Sequence, residues 1–233
     1  MRSSLARALP ALVLAAAAPS VVADLIEPYS QDRSVGSFAQ VETTEDIDTD
    51  DAFDQAPGFG LYDQSASASA SVSPFDASGV AEQYSYMLPT VIGAAGGAAA
   101  LSEDAGSGAT QANAGSLFDV YFTITEEHTF RLVGGLIASD VIPQFDSSAS
   151  VTLSQVGVGV IYSNETSEND TPVSVLHDGL FTPGDYQLTV YALASSLNDA
   201  SSSASFDIRL IVPEPASATL ALIGLLAGTR RRA

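Results

Sequence analysis

Phe118-Asp-Val-Tyr-Phe-Thr-Ile124 carries an apolar side chain at every second position: Phe118, Val120, Phe122 and Ile124 alternate with Asp119, Tyr121 and Thr123. A period of two marks a strand with one face on a core and the other in water, as in antiparallel sheets. The same period recurs at Tyr186, Leu188, Val190 and Ala192, and at Ala204, Phe206, Ile208, Leu210 and Val212. Shorter runs repeat it at Ala149, Val151 and Leu153, then at Val156, Val158, Val160 and Tyr162. No helical period competes between the two ends of the chain. The pattern predicts an all-β fold, an antiparallel β-sandwich of jelly-roll type with roughly eight to ten strands.

Working outward, Glu126 and Glu127 separate two alternating runs, so Leu117 to Ala138 reads as a hairpin. Asn164 to Thr171 reads as a polar loop and Pro183-Gly184-Asp185 as a turn. Ser65 to Ser73, Ala94 to Ala100 and Ser201 to Ser205 are built from Ser, Ala and Gly. Their small residues keep phase with a polar face, which favours strands over linkers. Each Ala buries little surface, so the large side chains of the other strands must supply most of the core.

Composition removes several function classes. The 233 residues include no cysteine, which excludes a disulfide framework, a thiol nucleophile and Cys-based metal sites. There is no lysine and no tryptophan. Between Asp24 and Val212 only Arg33, Arg131 and Arg209 face 27 of the 28 acids, a formal charge of −24. Nucleic-acid binding requires positive charge against phosphate, so no nucleic-acid partner is expected. Anionic membrane surfaces are disfavoured for the same reason.

The ends carry addresses. Met1 to Ala23 reads MRSSLARALPALVLAAAAPSVVA: Arg2 and Arg7, an apolar stretch, then small residues at Val21 and Ala23. This is a signal-peptide pattern with cleavage after Ala23. At the other end Pro213-Glu214-Pro215 precedes Ala216 to Thr229, which carries no charge, and Arg230, Arg231 and Arg232 follow. As a helix the uncharged stretch spans about 21 Å, short of a hydrocarbon core of about 30 Å. The arginines hold the end on the cytoplasmic side. Both termini are therefore expected to touch a membrane transiently, the second through a hydrophobic helix.

Pro-Glu-Pro, a hydrophobic stretch and an arginine cluster, in that order and behind a signal peptide, resemble the PEP-CTERM sorting signal of bacterial exported proteins. The resemblance covers about 20 residues of tail. It implies processing by an exosortase, a membrane enzyme that cuts near the motif, in a bacterium that makes extracellular polysaccharide. Family members share the tail rather than one activity, so the resemblance speaks to localisation. The expected organisation is a signal peptide at 1–23, an acidic segment at 24–62, a sandwich domain at 63–212 and a sorting tail at 213–233.

In the acidic segment, Glu42 to Asp54 reads as a loop or edge segment, with one strand expected at Val35 to Val41. Asp46-x-Asp48-x-Asp50 matches the opening of a calcium loop, but Asp51 stands where Gly is needed and Pro57 where a bidentate Glu belongs. No metal site or cofactor is expected beyond weak calcium binding. His128 and His177 fall at expected turns. No G-x-S-x-G, H-E-x-x-H, P-loop or G-x-G-x-x-G is present. The leading expectation is a non-catalytic structural component of the bacterial cell surface or extracellular polysaccharide matrix. A glycan- or calcium-binding module is the alternative, and a polysaccharide-active enzyme ranks third. The expected partners are an exosortase-type enzyme and extracellular polysaccharide.

Overall fold

The computed structural model describes residues 25–103, 108–140, 147–167 and 172–213. The expected signal peptide with Ala23, and the tail from Glu214 through Pro215 to Arg230, Arg231 and Arg232, lie outside the described residues; Pro213 is the last residue within them. Twelve strands follow in order: β1 (Glu27–Glu42), β2 (Ile47–Gln55), β3 (Tyr62–Val72), β4 (Phe75–Leu88), β5 (Val91–Ser102), β6 (Ala109–Ile124), β7 (His128–Asp140), β8 (Ser148–Gln155), β9 (Gly159–Ser167), β10 (Val173–Phe181), β11 (Gly184–Leu197) and β12 (Ala200–Ile211).

They form two antiparallel six-stranded sheets, ordered β2-β1-β6-β11-β8-β9 and β10-β7-β12-β5-β4-β3. Within them β5 to β12 follow the strand order of a jelly roll, β6-β11-β8-β9 against β10-β7-β12-β5. The first four strands extend both sheets on one side. Because β1 pairs with β6 from Glu27↔Thr123 to Glu42↔Ala109, the acidic segment is a continuation of the sheet, and the strand number exceeds the expected eight to ten.

The sequence expectation of a hairpin at Leu117 to Ala138 is corrected. β6 pairs with β1 and β11, whereas β7 pairs with β10 and β12 in the other sheet. The short connection through Glu126 and Glu127 is an arch. It lets Phe118, Phe122 and Ile124 meet Phe130, Leu132 and Leu136 across one core instead of side by side. Asn164 to Ser167 belong to β9 and not to a loop, and of the two readings of Glu42 to Asp54 the edge segment holds, since β2 is an edge strand. Ser65 to Ser73, Ala94 to Ala100 and Ser201 to Ser205 lie within or at the end of β3, β5 and β12.

Ile26 N donates to Pro89 O at 3.0 Å and Val212 N to Thr90 O at 2.8 Å. Both ends of the described chain therefore leave beside the β4–β5 turn, at what we term the near pole. The core tapers from there. Near that pole it is built of large side chains: Phe122, Phe130, Phe181 and Tyr186 meet with ring centroids 4.1–6.0 Å apart. Toward the far pole Ala66, Ala68, Ala100, Ala112, Ala194 and Ala204 take over. There a Cβ added at Gly79 would stand 2.6 Å from Asn113 O of the opposite sheet, so backbone nearly meets backbone.

Candidate functional site

A strand normally raises a side chain from each face at every second residue. On its outer face the middle of β5 raises almost nothing: between Val91 and the exposed Leu101 the outward column is Gly93, Ala95, Gly97 and Ala99. Beside it β4 presents Tyr86, Tyr84, Glu82 and Val80, paired in register with those four residues. On the other side β12 presents Arg209, Asp207, Ser205 and Ser203. The result is a trough running along β5. Strand spacing and rise make it about 10 Å wide between walls and about 20 Å long.

Its central hollow has a volume of about 580 Å³ and is lined by Asp63, Glu82, Tyr84, Ala95, Gly96 and Ser205, among others. A second hollow of about 360 Å³ continues it at Ser205 and Phe206, over Gly135 and Ile137 to Pro172 and Ser174. A third, of about 550 Å³, adjoins at Tyr84 and is closed by Phe59, Leu61, Tyr86 and Leu88. Tyr84 is 47% exposed, so its ring is available to a ligand. Tyr86 lies over Gly93, where any Cβ would collide with its ring, and it meets Tyr84 edge-on at 6.0 Å. Arg209 and Asp207 approach within 3.7 Å on the opposite wall, both solvated.

The wall at Phe59 and Leu61 is held from below. Arg33, fully buried on β1, donates from Nε to Gln31 Oε1 at 2.8 Å, from Nη1 to Ser85 Oγ at 3.2 Å, and from Nη2 to the Gly58 carbonyl. Gln31 Nε2 donates to Ala56 O at 3.0 Å, and Ala56 N donates to Arg33 O at 2.8 Å. Thus the 56–61 connection is clamped by the core strand beneath it. The polar line continues through the sandwich: Ser85 Oγ donates to Gln83 Oε1 at 3.4 Å, and Gln83 Nε2 donates to Ser116 Oγ at 3.2 Å and Leu117 O at 2.6 Å. A buried charge so bonded fixes one relative placement of the two sheets.

The residues singled out in the sequence lie elsewhere. Asp48 Oδ2 accepts from Ser71 N at 2.9 Å and Asp50 Oδ2 from Ser69 N at 2.9 Å. Asp46 Oδ1 accepts from Ile47 N at 2.9 Å. The alternate acids thus cap backbone rather than converge, and among the described residues no group of three or more His, Asp or Glu is placed to hold a metal. His128 and His177 are half-buried strand residues instead of turn residues. The His177 ring stacks on Tyr162 at 5.1 Å, bridging the edge strands β10 and β9. The trough itself was missed. Its signal was available: Gly or Ala at 93, 95, 97 and 99, close behind Tyr84 and Tyr86.

On the outer face of the other sheet, hollows of about 430 and 350 Å³ lie over Gly36 and Gly115 between Phe38, Phe53, Tyr191 and Leu193. That surface is apolar and offers less hydrogen bonding than the trough.

No family model matches the chain and no curated protein matches it. Among solved structures it is similar to TmCBM61 in complex with beta-1,4-galactotriose, at 13% identity over 60% of this chain and 90% of that one, with a TM-score of 0.21. It is also similar to the GH31 alpha-xylosidase Xac1773 from Xanthomonas citri, at 10% identity over 77% of this chain and 28% of that one, with a TM-score of 0.22. Both scores are low, so the fold stands on its strand order and the site on its residues.

Proposed function

We propose that the chain is a non-catalytic, exported sandwich of the bacterial cell surface or polysaccharide matrix, sorted through its tail, and that it holds an uncharged glycan in the trough over β5. The observation that carries the binding reading is the Gly93-Ala95-Gly97-Ala99 floor between a tyrosine wall and a polar wall. Tyrosine rings offer an apolar platform to the C–H face of a sugar, and Glu82, Asp63 and Ser205 offer hydrogen bonds to hydroxyls. Asp63, Glu82 and Asp207 outnumber Arg209, so the field in the trough repels uronates and sulfated sugars. His128 and His177 face the interior and do not reach this surface. The Pro213 tail and the Ala23 boundary supply the export and exosortase part of the reading, on sequence alone.

Affinity electrophoresis of the full chain against neutral and anionic polysaccharides tests it. A neutral glycan should retard the protein and a uronate polymer should not. Gly97→Leu places a side chain in the trough; the Cβ itself meets nothing nearer than 3.5 Å, so the fold tolerates it. Gly97→Leu and Tyr84→Ala should each weaken binding about tenfold, the effect of losing a central contact of about 1–2 kcal/mol. Wild-type retardation in both variants removes the trough as the site, and release of sugar products makes the chain an enzyme.

A further inference from the structure

Val212 N donates to Thr90 O in the β4–β5 turn at 2.8 Å, and the described chain ends one residue later at Pro213. Directly beside this exit an apolar row crosses the outer face of the trough sheet. Ile211 on β12 pairs with Val91 on β5, and Val91 pairs with Leu88 on β4. Leu88 borders the hollow of about 550 Å³, whose other walls include Phe59, Leu61, Tyr84, Tyr86 and Met87. Among the described residues no charged side chain lines it, and Leu61 and Leu88 are 65% and 53% exposed. Beyond Leu61 the surface turns acidic. Asp63 follows on β3, and Asp54 lies beside Tyr62, whose Oη donates to the Asp54 carbonyl oxygen at 3.0 Å. A contiguous group of exposed apolar side chains marks a contact surface.

The segment that leaves at this exit is written in the same order. Pro213-Glu214-Pro215 comes first, then Ala216 to Thr229 without a charge, then Arg230, Arg231 and Arg232. From the exit outward, surface and segment match: apolar against apolar, then arginine against aspartate. Length agrees as well. From β12 to β3 is three strand spacings, about 14 Å, and the uncharged stretch spans about 21 Å as a helix. That stretch falls short of a hydrocarbon core of about 30 Å, so a bilayer holds it only marginally. We infer that, away from the membrane, Ala216 to Thr229 covers the hollow between Leu88 and Leu61 of its own chain, with Arg230 to Arg232 directed to Asp63 and Asp54. The cover keeps two apolar surfaces out of water until the membrane takes the tail. Tethering gives the segment an effective concentration on the order of millimolar. A second copy must instead overcome the repulsion between two bodies of formal charge −24. The N-terminal segment enters through β1, which belongs to the other sheet. The central hollow over Ala95 and Gly96 stays open, so the inference does not rest on the glycan reading.

The chain has no cysteine, so Leu222→Cys gives a single thiol for a nitroxide label. Amide spectra of the labelled full chain, in buffer free of lipid and detergent, read which surface lies near it. Gly60, Leu61 and Leu88 should lose most of their signal, while Ala100 and Ser203 at the far end of the same sheet keep theirs. The loss should persist on dilution. It should not pass to isotope-labelled chains without nitroxide when the two are mixed. Because that label replaces an apolar side chain, Thr229→Cys repeats the reading with the leucines intact and should dim Asp63 and Gln64. Leu61→Asp with Leu88→Asp, both at exposed positions, should restore the Gly60 signal, and unchanged loss there refutes the hollow as the seat. The inference is also overturned by full signal at Gly60 and Leu88 with both labels, or by equal dimming over the whole molecule. Loss that passes between mixed chains makes a second copy the occupant. Dimming of these amides from a label at Ala15→Cys alone gives the hollow to the N-terminal segment.

Discussion

Arg33 is a permanent charge at 0% exposure in a chain with few cations, and taking it out of water is costly. Burial pushes its guanidinium below the ordinary value, so the ring of acceptors from Gln31, Ser85 and Gly58 is what keeps the charge tolerable. Tyr62 lies 5.6 Å from the guanidinium and donates from Oη to Asp54 O at 3.0 Å. Burial first, and the Asp54 carboxylate second, push the Tyr62 phenol up from 10.0 to about 12. The folded state therefore prefers the neutral phenol. Its contribution to stability is complete below pH 10 and is lost as the pH rises through about 12. Chemical denaturation across that window should show the wild type losing stability faster than Tyr62→Phe, which has no phenol to ionise. Parallel curves for the two proteins would show that Tyr62 does not couple folding to alkaline pH.

At the scale of the strand, the two open margins of the sandwich are closed by different devices. At one, β2 turns Asp48 and Asp50 onto the exposed amides of β3, so carboxylates stand in for a further strand and charge deters edge pairing. At the other, the Tyr162–His177 stack joins β9 to β10. Replacing Asp48 and Asp50 by Ala should cost about 1 kcal/mol for these solvated bonds, whereas Asn keeps an acceptor and should cost less. Amide exchange at Ser69 and Ser71 should accelerate in the Ala variant alone; equal exchange in all three proteins would mean that the carboxylates do not protect the edge. These same aspartates show what sequence could and could not reveal. Their spacing of two was legible, but a calcium loop and an edge strand share that spacing, and the partner amides lie some 20 residues away at 69 and 71. The alternation from Phe118 to Ile124 identified β6 with its buried face. It could not assign β7 to a sheet, because a strand–turn–strand pattern is the same whether the turn closes a hairpin or an arch. The trough was legible only in part: its missing side chains are visible in sequence, but which two strands flank the gap is set by strand order.

Across the whole molecule, core size and charge are both unevenly distributed. The near half holds the aromatic cluster and all three described arginines, while the far half is packed with Ala and Ser and keeps its acids uncompensated. Less apolar area per residue and more self-repulsion both weaken the far half. Partial opening should therefore begin there, at β2, β3 and the ends of β5 and β12, before the near half yields. A formal charge of −24 over Asp24 to Val212 also makes the balance depend on salt. Raising sodium chloride to a few tenths molar shortens the screening length to a few ångströms, and should raise the melting temperature and slow amide exchange in the far half more than in the near half. Asn at Asp46, Asp48 and Asp50 removes three of those charges and should take away only a fraction of the salt effect, because the repulsion is spread over the remaining acids. If the triple variant removed most of the salt effect, the repulsion would be local to β2 and not spread over the molecule.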